Sequence, residues 1–134
     1  MRFIAVLAVA LSLGVAGCQR EAPVDPCVGP TLVQPAEPDT YAGRRELARF
    51  CIKTAVYEIA RKGGTVAAVA DAAVAQCAPK EADVITALKA TGPVYPYQTV
   101  EIHGDLAHLA QVTAVRARAK GCGGEADTLL KSKP

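Results

Sequence analysis

The 134-residue sequence contains no H-E-x-x-H, no G-x-S-x-G and no Gly-rich phosphate loop. The usual zinc-protease, serine-hydrolase and nucleotide-binding signatures are therefore missing. It contains no C-x-x-C, which removes a thioredoxin-type redox pair and a covalent haem site. It lacks a dominant charge sign: the formal net charge is +2, with both signs mixed along the chain. That balance gives no case for nucleic acid as a partner. No apolar run reaches the ~20 residues that a membrane-spanning helix needs. No alternating strand pattern and no internal repeat is present.

What is there begins at the N-terminus. Arg2 supplies a positive charge, and Phe3 to Ala16 form an apolar run of fourteen residues. This has the length of a secretory signal. The run ends in Val15-Ala16-Gly17-Cys18 and turns polar at once. Charge, apolar run, small residues and cysteine in that order closely resemble the bacterial lipoprotein box. The resemblance covers only the first eighteen residues. It implies that residues 1–17 are removed, that Cys18 is thioether-linked to a diacylglycerol and becomes the new N-terminus, and that it is usually N-acylated with a palmitate-type chain. One acyl chain anchors only marginally, whereas two or more hold firmly. Gln19 follows the cysteine. In enteric bacteria an aspartate there resembles an inner-membrane retention signal, so the expected location is the outer membrane, with the domain facing the periplasm.

The mature chain from Cys18 would hold 117 residues, with fourteen Lys and Arg against thirteen Asp and Glu. That is one domain with a modest core. Residues 18–39 read as a lipidated tether containing five prolines. Such a segment favours polyproline II and acts as a semi-rigid spacer. Cys27 lies inside it, so part of it can be pinned to the body.

Residues 40–134 read as helical. Asp39 or Thr40 caps a first helix that runs to about Lys62, where Gly63-Gly64 ends it. Leu47, Cys51, Ile52, Ala55, Val56 and Ile59 form one apolar arc, and Phe50 with Tyr57 form a second patch. Two patches imply two neighbours and a central position. Thr65 caps a second helix whose stripe is Val66, Val69, Ala70, Ala73, Val74 and Cys77. Pro79 opens a third helix carrying Val84, Ile85 and Leu88, stopped by Gly92-Pro93. The stretch PVYPYQT reads as a loop, because two prolines in four residues break regular structure. A fourth helix is expected from about Thr99 to Lys120, with Ile102, Leu106, Leu109, Thr113 and Ala117 inward. A last short turn is placed over Glu125 to Leu130. The expected fold class is all-α, a small disulfide-bonded bundle of about four helices.

Four cysteines remain beyond Cys18. An even number in an exported chain implies two disulfides, and unpaired spacing argues against zinc. Cys51 lies twelve residues before Gly63, and Cys77 lies twelve after Thr65. In a helical hairpin both would sit ~18 Å from the turn. The expected bridges are Cys51–Cys77 and, by elimination, Cys27–Cys122.

No coherent catalytic set emerges, and no cofactor is called for. Glu101, Asp105 and His108 fall at i, i+4 and i+7, one stripe on which a metal-dependent hydrolase could be built. Gly104 weakens that stripe, and a solvated polar face explains it more simply. Arg44, Arg45, Arg49 and Lys53 read as a basic side of the first helix that a solvated face explains, with anionic headgroups or peptidoglycan as the functional alternative. Tyr95 and Tyr97 on a proline-stiffened loop either cover one end of the bundle or serve an interface, where tyrosine on a rigid loop is favoured. The expectation is a non-catalytic binding or accessory lipoprotein, held to the membrane through Cys18, with an envelope protein or cell-wall component as partner. An inhibitor or immunity protein against a periplasm-acting enzyme is a second form of the same idea.

Overall fold

The structure, a computed structural model, describes residues 25–123. Cys18, the signal segment and the turn expected over Glu125 to Leu130 lie outside the described residues. Four helices follow one another: α1 (Tyr41–Arg61), α2 (Val66–Gln76), α3 (Ala78–Lys89) and α4 (Pro96–Ala119). The described residues contain no strand, and none of their helices is long and apolar enough to cross a membrane.

The caps explain the boundaries. Gly43 N–H donates to Thr40 Oγ1 at the start of α1, and Ala68 N–H donates to Thr65 Oγ1 at the start of α2. Each satisfies one of the unpaired N–H groups of a first turn. Gly63 and Gly64, at φ 98° and 103°, let the chain turn between the two helices. Cys77 ends α2 and also precedes α3. The two short helices thus form one return stroke, broken at Cys77, with Pro79 in the first turn of α3. The α1 N-terminus lies beside the α4 N-terminus, since Tyr41 and Arg45 border a cleft with Gln98 and Ile102. Helices α1 and α4 are therefore parallel, and α2–α3 runs back between their ends.

The core is built of small side chains. Of the seventeen buried apolar residues described, eight are alanine, so the helices approach closely but bury little area per residue. The α2 stripe is inward as expected, with Val69, Ala70, Ala73 and Cys77 buried and Val66 and Val74 packed against the core. In α4, Ile102, Leu106, Thr113 and Ala117 are buried, joined by Ala110 and Ala114. Helix α1 packs against all three others.

Both expected bridges are formed. Cys51 and Cys77 have Cα atoms 6.0 Å apart, and Cys27 and Cys122 have theirs 5.4 Å apart, inside the range a disulfide requires.

Two expectations are corrected. Helix α4 starts at Pro96, three residues before Thr99, so Tyr97 belongs to its first turn and PVYPYQT is not wholly a loop. Proline fits the first helical position because its missing N–H would have no partner there. Gln98 completes the start: its Oε1 accepts from Tyr95 N–H at 2.9 Å, and its own N–H donates to Tyr95 O at 3.0 Å. The second correction concerns the tether. From Cys27 onward it is a strap laid antiparallel along α1. Gly29 lies against Thr54, Val33 borders Phe50, and Glu37 and Pro38 lie on Gly43. The second apolar patch of α1 faces this strap as well as α4.

Candidate functional site

Tyr95 and Tyr97 flank Pro96 at the start of α4. Pro96 fixes the backbone, and the Gln98 hydrogen bond holds Tyr95 against the first turn. The two rings stack, with centroids 5.8 Å apart and planes 10° apart. They do not cover the core: Tyr95 is 55% exposed and Tyr97 65% exposed. Val100, three residues beyond Tyr97 on the same side of the helix, is 71% exposed. Two aromatic rings and a branched aliphatic side chain thus form an apolar patch at one end of the bundle. Sequence reading misses Val100, because a helix begun at Thr99 hides its i, i+3 relation to Tyr97. Proline at a first helical position is the signal that could have found it.

The patch has a fixed place relative to the chain's N-terminal end. Cys27 is bridged to Cys122, just past the C-terminus of α4. Asp25 pairs with Arg61 at the C-terminus of α1. The strap therefore begins at the end of the bundle opposite the tyrosines. Helix α4 has 24 residues, so about 36 Å separates the two ends.

Glu101, Asp105 and His108 share one side of α4, but they do not form a ligand set. Asp105 is paired with Arg45, while Glu101 and His108 are exposed. His103 faces another element, with Nδ1 3.1 Å from Glu81 Oε1. Among the described residues, no three His, Cys, Asp or Glu side chains gather closely enough to hold a metal ion.

The basic side of α1 is divided. Arg44 pairs with Asp39 and lies 3.9 Å from Asp83, which also receives Lys80 at 3.6 Å. Arg45 pairs with Asp105. Arg49 and Lys53 have no carboxylate partner among the described residues. Arg45, Arg49 and Lys53 are spaced by four along one ridge, and Arg44 points about 100° away from Arg45, so the four cations do not share one face.

No family model matches the chain, and no curated protein or solved structure matches it.

Proposed function

We propose that the chain is an envelope lipoprotein whose domain works by contact and not by chemistry, docking a protein partner in the periplasm on the Tyr95, Tyr97 and Val100 patch. The observation that carries the reading is the exposed, stacked tyrosine pair on a proline-fixed helix start. Tyrosine contributes a large contact area with few rotatable bonds, and a rigid backbone lowers the entropy lost on docking. The lipobox-like Val15-Ala16-Gly17-Cys18 supports the anchor. Cys27, where the chain is pinned, lies nine positions beyond Cys18, which allows a reach of roughly 28 Å at ~3.1 Å per residue. The patch would then stand at the end of the domain opposite the start of the strap.

The test is the double substitution Tyr95→Ala and Tyr97→Ala. Both rings are exposed, so helix content and thermal stability should stay close to wild type. Capture of the partner from cross-linked envelopes should fall at least about tenfold, equivalent to loss of one interface hot spot of ~2 kcal/mol. A folded double variant that captures the partner normally would remove this patch as the docking site.

A further inference from the structure

A second surface lies on the strap side, away from the tyrosines. The strap residues Val28, Gly29 and Pro30 form one wall of a groove whose floor holds Tyr57 and Thr113. Its cations are Lys53 from α1 and Arg116 and Lys120 from α4. Among the described residues no carboxylate lines this groove and none of the three cations has a salt-bridge partner. Lys120 Nζ lies 5.5 Å from the centre of the Tyr57 ring, so it is held over the groove floor by a cation–π contact. Thr113 Oγ1 already donates to Leu109 O at 2.7 Å, so its proton is not free for an anion and the three cations are the groove's donors. Lys53 also borders the next hollow, with Val33, Arg49 and a single acid, Glu46. The strap adds an apolar edge: Val28 is 60% exposed and Val33 84% exposed.

Cations without partners beside exposed aliphatic side chains form the pattern of an interfacial membrane contact. We propose that this groove seats the phosphate of an anionic lipid headgroup, with Val28 and Val33 entering the interface beside it. Two observations favour a lipid surface over a free phosphate. The groove begins one residue after Cys27, which is nine residues from the lipid-bearing Cys18. Its rim is aliphatic, and a soluble anion has no use for that. The inference rests on the anchored reading for its geometry. It gives the domain an orientation: Arg116 and Lys120 lie about 100° to 140° around α4 from Tyr97, so docking this side leaves the tyrosine patch turned away from the membrane.

The test uses the full mature chain with Cys18→Ser, so that no lipid modification contributes. It should sediment with vesicles of phosphatidylcholine containing phosphatidylglycerol and not with pure phosphatidylcholine. Added salt should reverse the binding. The combined change Lys53→Gln, Arg116→Gln and Lys120→Gln should lower partition at least tenfold. A charge-matched control, Lys62→Gln, Lys80→Gln and Lys89→Gln, should bind nearly as well as the parent. Val28→Ser with Val33→Ser should weaken binding while leaving the salt dependence in place. Equal binding to both vesicle types, or equal loss in both triple variants, would overturn the groove. Inorganic phosphate that shifts the groove resonances without any vesicle binding would overturn the lipid as its source. Because the protein carries no acyl chain, failure here leaves the anchor untouched; labelling of wild-type Cys18 with a radioactive fatty acid tests that separately.

Discussion

Single residues decide where the strap can lie. Gly43 is buried, and a Cβ placed there would run into Glu37 O and come within 2.9 Å of Pro38 Cα. Both obstacles are backbone, so neither can swing aside. Gly43→Ala should therefore lower stability by about 1–3 kcal/mol, the usual cost of overpacking. Gly104 is the opposite case: a methyl group added there would meet nothing within 4 Å and would face solvent. Gly104→Ala should raise stability by up to about 1 kcal/mol through helix propensity alone. Denaturant melts of the two variants check both signs. Beneath the strap, Thr54 Oγ1 is buried with no hydrogen-bond partner. Leaving such a group unpaired costs about 1–3 kcal/mol, so Thr54→Val, nearly the same shape, should raise the thermal midpoint. An unchanged or lower midpoint would mean that the hydroxyl finds a partner in solution. The distinction between Gly43 and Gly104 is not legible in the sequence. Both look like flaws in a helix, and only the turn before α1, which folds Glu37 and Pro38 back onto Gly43, separates them.

At the scale of elements, the periodic parts are legible in the sequence and the strap is not. The α2 stripe, the Thr40 and Thr65 caps and the symmetry of Cys51 and Cys77 about the double glycine are local patterns, and local patterns set helix existence and register. The start of α4 escapes such a reading because proline breaks a helix in its interior yet serves well as its first residue. The strap reads as a spacer because proline-rich composition says nothing about a surface to lie on. Its docking depends on Gly29 meeting Thr54 and on the closure of Cys27 to Cys122. The bridges matter because an alanine-rich core buries little area. By loop entropy, Cys51–Cys77, spanning 26 residues, contributes about 3.5 kcal/mol. Cys51→Ala with Cys77→Ala should lower stability by about that amount. By the same reckoning Cys27–Cys122, spanning 95 residues, contributes about 4.7 kcal/mol, so Cys27→Ala with Cys122→Ala should cost at least as much and should also open the strap, seen as faster proteolysis near Val28 to Val33. Non-reducing digestion should yield Cys51–Cys77 and Cys27–Cys122 peptides; a dominant Cys27–Cys51 peptide would contradict the arrangement.

The whole molecule is polarised along α4. One end carries the Cys27–Cys122 bridge, where the strap begins, and the other carries two exposed tyrosines. The candidate site is partly legible in the sequence: Tyr95 and Tyr97 stand out by residue type and by the proline between them. Val100, and the separation of the patch from the strap's start, need the fold. The proposal that this polarity serves a lipid-anchored contact protein is tested most directly in intact envelopes. A photo-reactive side chain placed at Tyr97 should give one discrete cross-linked species, and the same probe at Asp71, exposed on α2, should not. Cys18→Ser should abolish that species along with the membrane fractionation that survives a high-salt wash. Identical products from both positions, or a Tyr97 product that persists unchanged once Cys18 is replaced, would contradict a membrane-held domain that binds through its tyrosine end.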